Sequence, residues 1–250
     1  MAKLTILGSS NAIATKGADN SHMLFEFDER VVLIDSPNNP VLKLAELGVD
    51  HEQVTDLVVT HFHPDHVSGI PLFLMDMWLR GRKQKLDIYG LPHALDRLEN
   101  LMDAFLWGNW PGFFPVTFNR VPAKELYLAI ESESFKLYTS QVHHMIPTIG
   151  MRFELATGKV IAYSCDTRPC DEVVHLGQQA DILIHEASGD FLGHSSAANA
   201  AEIALKAKAQ KLCLIHYPTG EFRDDATLSS AKEVFGENVF LAEDMMTFEF

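Results

Sequence analysis

The run Thr60-His61-Phe62-His63-Pro64-Asp65-His66 places four metal-ligand side chains, His61, His63, Asp65 and His66, within six residues. Imidazole nitrogen and carboxylate oxygen are the usual donors to a borderline cation such as zinc, and they suit iron as well. A divalent ion held there would polarise a substrate oxygen and bring the pKa of a water toward neutrality, which is the chemistry of hydrolysis. A histidine-rich surface turn is the plain alternative. If His and Asp each fill about one position in twenty, chance gives this pattern in roughly one such chain in a thousand. The run therefore reads as a metal site.

One motif does not supply enough donors for two ions. Further donors are expected where the first ones sit, at the ends of buried strands. Three places qualify. His143-His144 follows an expected strand at 135–139, Asp166 follows Val160-Ile161-Ala162-Tyr163-Ser164-Cys165, and His216 follows Leu212-Cys213-Leu214-Ile215. Each alone is an ordinary polar residue at a strand end. Together, downstream of the histidine motif, they are much harder to dismiss.

These donors need a scaffold of alternating strands and helices. Short apolar runs bounded by Gly, Pro, Asp or Asn predict strands at 4–8, 23–27, 31–35, 57–60 and 86–89. Helical spacing predicts helices at 40–47, 67–79 and 92–106. The second half repeats the style, with strands expected at 134–139, 151–155, 160–164, 182–185, 212–216 and 239–241, and an Ala-rich helix at 197–209. No low-complexity stretch or linker marks a boundary, so residues 1–250 read as one metallo-hydrolase domain built of two αβ halves.

Composition bounds the function. A length of 250 residues with 47% hydrophobic and 22% charged residues is ordinary globular composition. No apolar run approaches the ~18 residues of a spanning helix, and the N-terminus lacks a signal-peptide core. Three cysteines do not make a disulfide framework, so the expected compartment is cytoplasmic. A formal net charge of −14 disfavours non-specific attraction to nucleic acid, although a metal centre carries its own positive charge. The one compact basic cluster, Arg80-Gly81-Arg82-Lys83-Gln84-Lys85, reads as a solvated loop.

The chain resembles the metallo-β-lactamase-fold hydrolases, and within them the ribonuclease Z branch. Thr60–Gly69 matches Thr-His-x-His-x-Asp-His-x-x-Gly, and His144-Met145-Ile146-Pro147-x-x-Gly150 resembles the branch's third-histidine motif. Tyr163-Ser164-Cys165-Asp166-Thr167-Arg168-Pro169 resembles its Tyr-Ser-Gly-Asp-Thr-x-Pro element. His185-Glu186-Ala187 and Gly193-His194-Ser195-Ser196 resemble two segments more specific to the branch. The resemblance covers nearly the whole chain. It implies an α/β fold, an αββα sandwich with the metal site at one edge of the two sheets.

Carried over by position, the resemblance implies one metal ion on His61, His63 and His144, with His143 left as a supporting or structural residue. It implies a second ion on Asp65, His66 and His216, with Asp166 bridging the pair. The implied cofactors are two divalent ions, zinc first, with manganese or iron as the other candidates. Asp65 would take the proton of the attacking water, and His194, oriented by Glu186, would give one to the departing alkoxide. The plain readings are a loop carboxylate for Glu186 and a neighbour of a helix cap for His194. Asp35 resembles a carboxylate that orients a ligand, or is a turn-starting Asp before Pro37. A homodimer is also implied.

Departures qualify the substrate. Branch members that process transfer RNA carry a long arm between the third histidine and the bridging aspartate, whereas His144 and Asp166 here leave room only for a hairpin. Pro64 and Cys165 stand where the branch usually has glycine. The aromatic stretch Phe105 to Phe114 could wall a pocket or pack in the core or a dimer. The expected partner is therefore a phosphodiester substrate, an RNA 3′ end or a small nucleotide, and no membrane. A cyclic-nucleotide phosphodiesterase is the alternative. A carbonyl hydrolase (of a lactone, thioester or β-lactam) and a non-hydrolytic iron protein are the more distant ones.

Overall fold

The computed structural model describes residues 2–250. Its first half runs β1 (Lys3–Gly8), β2 (His22–Glu26), β3 (Val31–Ile34), α1 (Val41–Glu46), β4 (Asp56–Val58), α2 (Pro64–Val67), α3 (Ile70–Leu79), β5 (Leu86–Gly90), α4 (Pro92–Ala104) and β6 (Val116–Arg120). The second runs β7 (Tyr127–Glu131), β8 (Phe135–Val142), β9 (Thr148–Leu155), β10 (Val160–Tyr163), α5 (Asp171–Leu176), β11 (Ile182–Glu186), α6 (Ala197–Ala207), β12 (Leu212–Ile215), α7 (Ala226–Phe235) and β13 (Val239–Leu241). A last strand, β14 (Thr247–Glu249), returns to pair antiparallel with β1.

Two seven-stranded sheets result, ordered β14-β1-β2-β3-β4-β5-β6 and β13-β12-β11-β10-β9-β8-β7. In each, antiparallel pairs give way to a parallel run: β3 to β6 in the first sheet and β10 to β13 in the second. The parallel strands are continuous apolar runs because both of their faces are covered. One face packs against the other sheet, where Phe25 stacks on Phe153 at 4.1 Å and Phe27 on Phe135 at 4.0 Å. The other face is covered by helices. Leu44, Phe73, Leu74 and Leu98 lie over the first sheet, and Val173, Leu176, Ala200 and Ala204 over the second. This is the αββα sandwich. Among the described residues no helix is long and apolar enough to cross a membrane.

Differences from the sequence reading have local causes. The helix expected at 67–79 is broken between α2 and α3, because the Gly69 N–H donates to the Ser36 carbonyl (2.8 Å). A Cβ at Gly69 would lie 2.1 Å from the Asn38 carbonyl oxygen, so only glycine admits that approach. Strands β6, β7 and β14 are edge strands whose mostly half-exposed residues lack the apolar contrast that marks a strand. The short helix α5 and the terminal helix α7 bury few side chains and went unread for the same reason. The basic stretch 80–85 is not all solvated: Arg82 is completely buried.

Two other buried polar residues predict an acid lability. His185 on β11 and His22 on β2 are fully enclosed, and burial pushes each imidazole down to about 4. In the unfolded chain both would titrate near the usual 6.5, so protons bind preferentially to the unfolded state between those values. Stability from these residues is present above pH ~6.5 and is lost as pH falls toward 4, on the order of 3 kcal/mol for each. Thermal melting at pH 7.5 and pH 5 is expected to show this loss, with a shallower slope in His185→Gln. Equal slopes in the variant and the parent would sink the assignment for His185.

Candidate metal centre

The strand order decides where the donors meet. Asp35, the 60–66 segment, Asp166 and His216 follow β3, β4, β10 and β12, and Glu186 ends β11, all members of parallel runs, so their side chains gather at one edge of the sandwich. His144 arrives from the β8–β9 loop, and the Ile149 N–H donates to the Thr60 carbonyl (3.1 Å), joining the two halves at this edge. Pro64 occupies the first position of α2, where a missing N–H costs nothing, and the helix turn presents Asp65 and His66 together.

Seven residues read from the sequence as ligands come together in two sets. His61, His63 and His144 form one, and Asp65, His66, Asp166 and His216 the other, with donor atoms in each set within 4.8 Å of one another. His63 Nδ1 lies 3.0 Å from His61 Nε2 and 3.1 Å from His144 Nε2. Nitrogens bound at 2.0–2.1 Å around one tetrahedral ion would stand about 3.3 Å apart, so this spacing suits a shared cation. Asp166 Oδ2 lies between the sets, 3.5 Å from His66 Nε2 and His216 Nε2, 3.8 Å from His61 Nε2 and 4.0 Å from His144 Nε2. His66 Nε2 and Asp166 Oδ1 are buried without a hydrogen-bond partner. Buried polar atoms are rarely left so, and divalent ions on this nitrogen and oxygen donor set would satisfy them. The residues fit the cofactor.

Surrounding groups fix the ligand tautomers. Asp35, held at φ 59°, accepts from the Thr60 N–H (2.8 Å), the Thr60 hydroxyl (2.7 Å) and His66 Nδ1 (2.8 Å), which leaves Nε2 of His66 for the centre. This residue orients His66, a candidate ligand, rather than merely starting a turn. His61 Nδ1 donates to the Thr60 hydroxyl (3.0 Å). His216 Nδ1 donates to Ser188 Oγ (2.7 Å), whose own proton goes to the His216 carbonyl (2.7 Å). His144 Nδ1 donates to the Gly193 carbonyl (2.8 Å). His143 stays outside the cluster. Ser188 was not singled out from sequence, and Gly193 was noted without a role. Gly193 has φ 80°, and a Cβ there would lie 3.0 Å from His144 Nδ1, a signal readable only once the loop is folded.

Charge supports the same picture. Burial pushes His61, His63 and His144 below the usual imidazole range, so their lone pairs are free for a cation. For Asp166 burial acts upward, but His216 and His66 outweigh it and hold the carboxylate well below its ordinary value. Beside the cluster, His194 Nδ1 donates to Glu186 Oε1 (2.9 Å). Glu186 also accepts from the N–H groups of Thr167 (2.9 Å) and Ser188 (3.0 Å). Burial raises its carboxyl, opposed chiefly by the bond from His194. The His194 ring stands 4.8 Å from His144 and 5.9 Å from His216, at the edge of both sets. The capped start of α6, where Ser196 accepts from the Asn199 N–H, holds this segment in place.

Residues 2–238 match the family described as "Anti-Pycsar protein Apyc1". The chain belongs to that family. This Apyc1-family chain is similar to ribonuclease Z of Methanothermobacter thermautotrophicus, 27% identical over 305 aligned positions that cover 100% of the chain and 97% of the relative. It is equally similar to ribonuclease Z of Methanosarcina acetivorans, 27% identical over 309 positions covering 100% and 98%. Those alignments are longer than the 250-residue chain, so the relatives carry insertions that it lacks. Its fold is shared with the metallo-β-lactamase fold protein YhfI from Bacillus subtilis (TM-score 0.83, 21% identity, 99% and 98% coverage). Human tRNase Z, short form, also shares it (TM-score 0.79, 23% identity, 99% and 98% coverage). The Apyc1-family chain is a ribonuclease Z-like, metal-dependent hydrolase of the metallo-β-lactamase fold.

Proposed function

We propose that this hydrolase is a dinuclear-metal phosphodiesterase acting on small nucleotides, with a cyclic nucleotide as its preferred substrate. The observation that carries the reading is the seven-residue cluster with the Glu186–His194 pair at its edge. His61, His63 and His144 would hold one divalent ion, Asp65, His66 and His216 the other, and Asp166 would bridge them. Zinc suits the three-histidine set best. When bound, such ions neutralise charge on the reacting phosphate and lower the pKa of a water.

The chain's own groups handle the protons. Asp65 is the most exposed carboxylate of the cluster and would accept the proton of the attacking water. His194 would deliver a proton from Nε2 to the departing oxygen, while Glu186 Oε1, bonded to Nδ1, stabilises the imidazolium and fixes the ring. Carbonyl substrates have less need of that donor. A small substrate fits three facts. The β9–β10 connection is a tight turn at 156–159 rather than an arm, the net charge is −14, and the family's anti-Pycsar description carries a cyclic-nucleotide link. RNA 3′ ends, suggested by the ribonuclease Z relatives, are the second reading. A homodimer belongs to the proposal, with exposed Leu72, Leu79, Phe105 and Leu106 as apolar surface for it.

The test compares leaving groups. Zinc- or manganese-loaded protein should hydrolyse both bis(p-nitrophenyl) phosphate and a 3′,5′-cyclic nucleotide. His194→Ala should lower kcat on the cyclic nucleotide by ~10²–10⁴-fold, the usual worth of a general acid. On the p-nitrophenyl ester, whose leaving group needs no proton, the loss should stay below about tenfold. Equal losses on both substrates would remove His194 from this role, and no turnover of either would remove the phosphodiesterase reading.

A further inference from the structure

A cavity of about 570 Å³ opens directly beside the metal-ligand cluster. It shares His144 and Gly193 with the centre, and Val142, Met145, Leu192 and Arg168 complete much of its lining. Gly193 adjoins His194, so this cavity lies on the His194 side of the centre. Met145 and Leu192 are largely exposed, 53% and 79%, and offer apolar surface beside a polar centre. That combination suits a flat heterocycle.

Arg168 is held in an unusual way. Its N–H donates to the His143 carbonyl (2.9 Å), and Nη2 donates to His143 Nδ1 (3.3 Å). His143 Nε2 in turn stands 3.3 Å from Glu172 Oε1, which favours the tautomer whose Nδ1 accepts from the guanidinium. In a chain with 34 acidic residues, no ion pair joins Arg168 to a carboxylate among the described residues. One of its five N–H groups is spent on His143. The side chain is otherwise exposed at the rim of the cavity, and its remaining four N–H groups are available to a ligand as a planar fork.

We infer that this cavity is a nucleobase subsite in which the Arg168 fork selects bases offering two adjacent hydrogen-bond acceptors. Guanine presents O6 beside N7, the pair arginine reads bidentately in nucleic acids, and cytosine presents O2 beside N3. Adenine and uracil place a donor N–H next to each comparable acceptor, which opposes the fork. His143 acts as a positioning residue that keeps the guanidinium over the cavity, with Glu172 behind it. Selection among nucleotides rests on the phosphodiesterase reading; the subsite itself is testable without it.

Binding of mononucleotides, which carry no diester bond to cleave, to the metal-loaded protein separates the two. Calorimetric titration with GMP, CMP, AMP and UMP is expected to show GMP and CMP bound about tenfold more tightly than AMP and UMP. Arg168→Ala should collapse that ratio to within twofold, and Arg168→Lys, which keeps charge but not the fork, should recover only part of it. With loaded protein the same variants should change the ratio of KM values among cyclic nucleotides and not the ratio of kcat values. Absence of base discrimination in the parent protein, or discrimination unchanged in a folded Arg168→Ala protein, would overturn the inference. Discrimination without any phosphodiester turnover would uphold the subsite and overturn the catalytic reading.

Discussion

Replacing Asp166 by alanine is expected to lower phosphodiester turnover by at least ~10³-fold and to reduce bound metal from two ions per chain to one or fewer. The reason is position. Asp166 Oδ2 stands within 4.0 Å of imidazole nitrogens from both donor sets, on His61 and His144 in one and His66 and His216 in the other. It is the carboxylate that would compensate two adjacent cations at once. Asp166→Asn, equal in size, should fail nearly as badly, because an amide offers one neutral acceptor where a carboxylate offers two charged ones. Metal analysis by mass spectrometry, turnover of bis(p-nitrophenyl) phosphate and circular dichroism form the check. A folded Asp166→Asn protein that retains two ions and a tenth of its activity would exclude the bridging role.

The second large effect is on stability and lies far from the chemistry. Arg82 is fully buried, and its five N–H groups donate to five backbone carbonyls: Gln84 (2.9 Å) from Nε, His51 and Glu52 (3.0 Å each) from Nη1, and Val54 (2.7 Å) and Lys85 (2.9 Å) from Nη2. The guanidinium also lies 5.2 Å from the centre of the Phe114 ring. It ties the segment before β4 to the loop that precedes β5, and β4 leads into the histidine motif. Arg82→Met would leave those carbonyls without their donor, the Val54 carbonyl in a buried position and the others partly buried. Charge-assisted bonds contribute about 1.5–3 kcal/mol each, though some carbonyls would regain solvent, so we expect a loss of roughly 3–5 kcal/mol. That is a large share of a typical domain's ~5–15 kcal/mol. Urea unfolding should show a lower midpoint at unchanged slope, and Arg82→Lys should recover only a minor part, since an ammonium cannot reach five diverging acceptors. A loss below 1 kcal/mol would show that the loop reorganises to solvate itself.

These two residues also show how unevenly the molecule could be read from its sequence. Asp166 was legible. It ends an apolar run, and a polar residue in that place must sit at the edge of a buried strand. His61, His63, Asp65 and His66 were legible as candidate donors for a related reason, because four such side chains within six residues converge through local backbone geometry alone. The central strands of both sheets were visible since a strand covered on both faces must be continuously apolar. Strands β6, β7 and β14 were not, because an edge strand is stabilised by pairing with a neighbour distant in sequence and carries little contrast of its own.

Arg82 sits in a basic stretch that by composition belongs in water, and it is buried only because a distant segment, 51–54, and its own loop turn five carbonyls toward it. Ser188 and Gly193 had no local signal either; each matters through one hydrogen bond to a histidine 28 or 49 positions away. Of the adjacent pair, His144 enters the cluster while His143 holds Arg168, a distinction made by the Gly193 carbonyl and its positive-φ loop. The sequence by itself determined the donor types, the strands that end in them and hence the chemistry available. Only the tertiary structure decided which nitrogen of each imidazole faces the centre and which cation stands free beside it. Those choices depend on hydrogen bonds between loops far apart in the chain, and periodicity and composition carry no record of them.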